Sequence, residues 1–284
     1  MRQLIVTADD FGLDPAVNEA VEQAHRTGIL TAASLMVAGP AAAQAVAMAK
    51  RMPTLGVGLH LALVDAVATL PAGEIPDLVD AQGRFSDRQA LAGVSYFFRP
   101  AVRRQLEAEI RAQFRAFAAT GLPLDHADAH KHMHLHPTVG RLLDEIGREF
   151  GLKAIRIPDE PGHPAFLSPW IALLRRQARR AGLRTPDRIY GIRHTGAMTE
   201  ERVHAILRDL PEGITELYSH PATSQTPALA AAMPGYRHAE EFAAVASQAL
   251  KEVVREVGAR LVRYGDLSPF PSTTVIPSPL RGEG

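Results

Sequence analysis

Short β-branched runs alternate with longer stretches of helical period along the chain, the order expected of βα units around a parallel sheet. Leu4-Ile5-Val6-Thr7 reads as a first strand that runs into Asp9-Asp10-Phe11-Gly12. Asp14-Pro15 then supplies an N-cap and a proline at the first helical position, and Val17, Ala20, Val21 and Ala24 mark one helical face up to Gly28. Residues 33–37 read as the second strand, the alanine-rich stretch 41–52 as its helix, and 55–61 as the third strand. Periodicity then weakens, and Pro71, Gly73, Pro76 and Gly83 interrupt the chain. A connection of this length inside a compact domain is a lid or binding loop, which places an insertion at 66–100. Val102, Leu106, Ile110, Phe114 and Phe117 form the stripe of the next helix, closed by Gly121. A fourth strand is expected over 124–134, a helix from Val139 to a stop at Gly151, and further strands at 154–157, 189–192, 214–219 and 261–264.

Seven or eight strands separated by helices, with no linker-like break in composition, favour one barrel-like α/β domain over 1–267 rather than two domains. Beyond it, Pro269, Pro271, Pro277 and Pro279 sit among Ser, Thr and Gly without an apolar period, so 268–284 is expected to be a disordered Pro-rich tail. The unusual polar residues fall at strand ends: Asp9-Asp10 after the first, His60 near the end of the third, Asp128 to His134 on the fourth, and His220 after the strand from Ile214. In a parallel barrel those ends converge on one face, where such folds carry their active sites.

Taken singly, each has an ordinary explanation. An Asp pair at a strand end is common turn chemistry. His60 within Gly58-Leu59-His60-Leu61 suits a hydrogen-bonded core position, and His220 before Pro221 suits a turn. The string Asp128-Ala129-His130-Lys131-His132-Met133-His134 says more, because period-two alternation puts Asp128, His130, His132 and His134 on one strand face. Four such features at four strand ends point to a common site.

Composition narrows the chemistry. Lys and Arg number 31, as do Asp and Glu, so no summed positive field is available for a polyanion and nucleic acid is excluded as the main partner. Cysteine is absent, which rules out disulfides, a thiolate nucleophile, Cys-held zinc and iron–sulfur clusters. A metal here must be held by His, Asp or Glu. Of the 12 histidines, His126, His130, His132, His134 and His136 fall within eleven residues, where an even spread would place about 0.5. In an extended strand the Cα atoms of His130 and His134 would lie about 13 Å apart, at about 3.3 Å per residue. An imidazole nitrogen sits about 2.0–2.1 Å from zinc, so the row cannot all bind one ion. One histidine, or two neighbours, would join a His and a carboxylate from other strands, and the rest would support ligands or touch substrate. Residues 1–10 resemble a strand ending in two carboxylates rather than a signal peptide, and no apolar run approaches a membrane span, so a soluble, cytoplasmic protein is expected.

Thr7-Ala8-Asp9-Asp10-Phe11-Gly12, Gly58-Leu59-His60-Leu61, Asp128-Ala129-His130-Lys131-His132-Met133-His134 and Glu216-Leu217-Tyr218-Ser219-His220-Pro221 resemble, in this order over residues 1–265, the signatures of the YdjC-type carbohydrate deacetylases. The resemblance implies a distorted, TIM-like α/β barrel of about seven parallel strands. It implies removal of N-acetyl groups from amino sugars with one divalent metal ion, Mg or Zn, and a homodimer. By position it makes Asp10, His60 and His130 the metal ligands, Asp9 the general base and His220 the acid that protonates the leaving amine. Asp128, His132 and His134 then fall to substrate contacts or to support behind the ligands. Adjacent strand residues face opposite ways, so Asp9 and Asp10 reach one site only if the chain turns there, and Phe11-Gly12 is the expected turn.

The segment Arg156-Ile157-Pro158-Asp159-Glu160-Pro161 looks closer to the hopanoid-biosynthesis-associated branch, which implies an N-acetylglucosaminyl hopanoid lipid as substrate. Alternatives are a deacetylase of soluble chitin-type oligosaccharides, a metal phosphoesterase on a similar barrel, and a non-catalytic protein that binds metal or a sugar-lipid. Phosphoesterases of this kind often open with His-x-His on the first strand, where this chain has Asp-Asp. Arg175-Arg176-Gln177-Ala178-Arg179-Arg180 reads as a solvated helical face near a C-terminus, or as a basic patch for transient contact with an inner-membrane surface.

Overall fold

A computed structural model describes residues 1–268 and builds them around a curled parallel sheet. The expected tail lies, from residue 269 onward, outside the described residues. In chain order the elements are β1 (Arg2–Phe11), α1 (Pro15–Thr27), β2 (Ala32–Leu35), α2 (Ala42–Ala49), β3 (Gly56–Leu61), α3 (Gln89–Phe98), α4 (Pro100–Ala119) and β4 (Ala127–Ala129). There follow α5 (Pro137–Glu149), α6 (Ser168–Arg180), β5 (Arg188–Tyr190), α7 (Glu200–Arg208), β6 (Gly213–Ser219), α8 (Pro227–Ala232), α9 (His238–Ala246), α10 (Gln248–Glu256) and β7 (Ala259–Leu261). Strand order is β4-β3-β2-β1-β6-β5, with β7 paired to the start of β1, and every ladder is parallel.

The seven strands make a half-barrel within one α/β domain. Beyond the β4 edge, isolated parallel bridges pair Ala127 with Ile155 and Ala154 with Arg184, so the strand expected at 154–157 exists only as a bridging segment. Pro158 removes a donor just where that ladder would have to continue.

Period two along the strands sorts the residues into two populations. Leu4, Val6 and Ala8 join the large cluster packed under the helices, whereas Ile5 belongs to a separate cluster with Ala32, Ala154, Val262 and Tyr264 inside the curl. Thr7 and Asp9 share the parity of Ile5. Polar groups therefore line the interior above a small apolar plug, and β1 is buried on both faces from Leu4 onward.

One expectation is corrected. The fourth strand ends at Ala129, and His130–Leu135 is a 3₁₀ turn in which Lys131 and His132 adopt φ of 52° and 53°. The ladder to β3 stops at the Leu61–Ala129 pair, so nothing holds the histidine row extended, and its single-face alternation is lost beyond His130. The weakly periodic stretch 66–100 contains a helix, α3, which lacks a side-chain N-cap. Its base is tied down: Tyr96 donates to the carbonyl of Leu63 at 2.7 Å, and Glu109 accepts the amides of Thr69 and Leu70 at 2.8 and 2.9 Å.

Candidate active site

The turn that Asp9 and Asp10 require occurs at Asp10 itself, with φ 61°, one residue before the expected place. Aspartate tolerates this left-handed region better than most residues. The β1–β2 register shifts between Ala8 and Phe11 as a result, and both carboxylates stay on the interior side at 2% and 1% exposure.

Asp10, His60 and His130 meet there. His130 Nδ1 lies 3.1 Å and His60 Nε2 3.4 Å from Asp10 Oδ1, and one ligand atom from each of the three falls within 4.8 Å of the others. His60 is oriented from behind, because its Nδ1 donates to Asp128 Oδ1 at 2.9 Å while Ser34 donates to the other oxygen at 3.0 Å. A carboxylate that fixes the tautomer of a ligating histidine is the usual support of a metal site. Asp10 Oδ2 is buried without a hydrogen-bond partner. One oxygen and two imidazole nitrogens, with an orphaned carboxylate oxygen among them, fit a divalent cation such as zinc. Asp9, His60 and Asp128 form a second close trio, but Asp9 and Asp128 are already engaged by a guanidinium and Asp128 holds His60 Nδ1. The first trio is therefore the better cradle.

That guanidinium belongs to Arg156, fully buried and not among the sequence-derived site residues. It donates to both oxygens of Asp9 at 2.7 and 2.8 Å, approaches Asp128 at 2.6 Å and Glu216 at 2.9 Å, and stacks 4.7 Å from the Tyr218 ring centre. Glu216 in turn accepts from Thr7 at 2.8 Å and from the Tyr264 hydroxyl. Three buried carboxylates thus face one guanidinium.

Burial opposes ionisation at Asp10, Asp128 and His60, and the mutual charges outweigh it. Asp10 is held well below the usual carboxylate range by His130 and His60, despite burial. Burial also works against the charge on Asp128, which Arg156 and His60 nonetheless hold low. His60, against the same burial, is held well above the ordinary imidazole value by Asp128 and Asp10. Two further histidines of the row go the opposite way: burial, reinforced by Arg156, keeps His132 neutral, and burial pushes His134 down to about 4.

A cavity of about 400 Å³ opens above this floor, lined by Asp9, His60, His130, His132, Tyr218 and His220 among others. His220 follows β6, with Nδ1 unpartnered and 3.9 Å from Glu241, beyond hydrogen-bond reach. Glu241 instead accepts the His220 backbone amide at 2.6 Å, and the ring packs edge-on to Tyr236. His132 shares a hydrogen bond with the Tyr218 hydroxyl at 3.1 Å. His134 is 1% exposed and does not reach the cavity wall, and Asp128 sits behind His60 rather than facing the opening.

The profile of the YdjC-like protein family matches residues 3–256. The chain belongs to the YdjC-like family. Carbohydrate deacetylases of Brevibacillus brevis and Geobacillus stearothermophilus are similar to this YdjC-like chain, at 29% identity over 93% of it and 99% of the relative, and at 31% over 93% and 97%. A solved structure from Enterococcus faecalis, named for cellobiose-phosphate cleavage, superposes with a TM-score of 0.74 at 26% identity, covering 93% of the YdjC-like chain and 97% of its own. A lactam utilization protein from Thermus thermophilus shares the fold at a TM-score of 0.51 and 16% identity, covering 91% of this chain and 98% of its own.

Proposed function

We propose that the chain is a metal-dependent N-deacetylase that hydrolyses the acetamide of an N-acetylated amino sugar. The observation that carries this is the Asp10, His60 and His130 cradle at the floor of a sugar-sized cavity that also presents Asp9 and His220. The carbohydrate deacetylases among its relatives support the same chemistry.

A divalent ion, Zn or Mg, held by Asp10, His60 and His130 would supply Lewis acidity, which makes water acidic near neutral pH and polarises an acetyl carbonyl. The remaining steps fall to the chain. Asp9 accepts the proton of the attacking water, since each of its oxygens keeps a lone pair after its bond to Arg156. Arg156 fixes that carboxylate in place, and Asp128 holds His60 with Nε2 turned to Asp10. His220, whose ring lines the cavity, gives a proton to the departing amine. Tyr218 and His132 form the polar wall against which sugar hydroxyls pack.

The substrate is read as an N-acetylglucosaminyl hopanoid lipid. Besides the likeness of residues 156–161, an apolar groove of about 1120 Å³ supports this reading. It runs between α3 and α6 and shares Gln89, Lys131 and His132 with the catalytic cavity, so a bulky apolar aglycone can lie in it while the sugar occupies the site. The 66–100 segment is then the lid that forms one wall of the groove, on a curled sheet read as a distorted TIM-like barrel. No helix among the described residues is long and apolar enough to cross a membrane.

The test is acetate release from N-acetylglucosaminyl hopanoid and from a chitin disaccharide, by metal-loaded and metal-stripped protein. Metal-dependent release from the hopanoid is expected. Release that persists after stripping refutes the metal role, and release from the disaccharide alone refutes the lipid reading.

A further inference from the structure

Seven of the nine large apolar side chains exposed among the described residues fall on two neighbouring elements. Leu91, Val94, Phe97 and Phe98 are on α3, and Phe166, Trp170 and Leu173 lie just before and on α6, with Phe98 70% and Phe166 73% exposed. Five of the seven line the apolar groove. A concentration of this kind marks an interaction surface rather than scattered exposure.

Charge says what kind of surface. The chain is neutral overall, yet residues 88–106 and 161–186, which carry these side chains, hold nine arginines and not one Asp or Glu. Arg99 and Arg175 are paired with Asp77 and Asp159. Among the described residues no ion pair engages Arg88, Arg103, Arg104, Arg176, Arg179 or Arg180. On α6 the buried face is Ile171, Leu174 and Ala178. Trp170, Leu173, Arg176 and Arg180 follow one another at helical spacing on the opposite side, aromatic toward the groove and cationic beyond it. An apolar edge next to six arginines outside any ion pair is complementary to a lipid boundary with anionic headgroups, where aromatic rings settle at the headgroup level and arginines meet phosphate.

We propose that the α3–α6 face docks on the surface of an anionic bilayer, with Phe97, Phe98, Phe166 and Trp170 at the headgroup–acyl boundary, so that the groove opens toward the membrane. The inference rests on the reading of a lipid-linked substrate and deepens it. A glycolipid then passes from the bilayer into the groove without exposing its apolar part to water.

Trp170 is the single tryptophan of the chain, and at 43% exposure it is a built-in reporter. The full chain is titrated with mixed phosphatidylglycerol–phosphatidylcholine vesicles and with pure phosphatidylcholine vesicles while Trp170 emission is followed. The expected result is a blue shift with the anionic vesicles, weakened by salt, together with quenching by lipids brominated in the acyl chain. Arg176→Gln with Arg180→Gln should lower vesicle affinity about thirtyfold, at about fivefold for each arginine. Acetate release from a soluble N-acetylglucosamine substrate should stay unchanged in that variant. Emission that ignores anionic vesicles overturns the proposal. So does a blue shift that follows protein concentration without lipid, because the face is then covered by a second copy of the chain. Docking without acetate release supports the membrane face and refutes the deacetylase reading instead.

Discussion

Arg156→Met removes the one cation that the interior carboxylates share. The guanidinium is fully buried, with four contacts of 2.6 to 2.9 Å to Asp9, Asp128 and Glu216. Methionine fills much of the same volume and takes the guanidinium from all three carboxylates, leaving Asp128 to His60 and Ser34 and Glu216 to the Thr7 and Tyr264 hydroxyls. Breaking a buried ion pair from one side costs about 3–5 kcal/mol, a large part of the about 5–15 kcal/mol that holds a domain together. At about 2–4 °C per kcal/mol for a chain of this size, the melting temperature should fall by about 6–20 °C at neutral pH.

The pH dependence follows from sign. Asp128 titrates below its usual range in the fold, so its contribution is present above the unfolded value of about 4 and is lost as pH falls through the folded one. The variant lacks that contribution, so its deficit should narrow as pH falls toward and below about 4. Arg156→Lys should sit between the two, since it restores the charge without the planar fork. Thermal melts by circular dichroism across this range read all three proteins. A deficit at neutral pH within about 1 °C of zero, or one that widens in acid, would refute the account of Arg156 as the charge that holds the interior together.

Asp128→Asn weakens the support behind His60 and should lower divalent-metal affinity by about 10–100-fold, measured by chelator competition; unchanged affinity would take His60 off the metal. His220→Asn should cut the turnover number for acetate release by about 10²–10⁴-fold while metal affinity and melting temperature hold; unaltered turnover removes the acid role. Asp144, 5% exposed with both oxygens unpartnered, is pushed up to about 7 by burial. Its folded value lies above its unfolded one, so the wild-type fold loses stability as pH rises from about 4 to about 7. Asp144→Asn should therefore gain up to about 4 kcal/mol above that window, and identical melts at alkaline pH would contradict it.

Where sequence could be read and where it could not follows one physical division. α1 begins at Pro15 behind Asp14, whose side chain accepts the Ala16 amide at 2.8 Å, because capping is local chemistry written in adjacent residues. The meeting of Asp9, Asp10, His60, His130 and His220 was legible because parallel strands deliver their ends to one face. Arg156 and Glu216 were not. Each is a lone charge inside an apolar run, which reads as an exposed strand position, and their partnership spans 60 residues of sequence. The one available signal was parity: Glu216 shares the interior side of β6 with Tyr218 and His220. The histidine row misled for the reverse reason, since alternation alone cannot say where the neighbouring strand stops.

Charge balance ties the site together. Asp9, Asp10, Asp128 and Glu216 are compensated in part by Arg156, and the deficit falls on the side where His60 and His130 face Asp10. In the absence of a cation that deficit draws a proton onto His60, against its burial. The same nitrogen, Nε2, is the one the cradle offers to a metal. Under the proposed metal role, proton and divalent ion would compete for one position, so metal uptake should release protons and metal affinity should weaken in acid. Arg156 compensates part of the charge behind the cradle, and Asp10 Oδ2 is left without a partner.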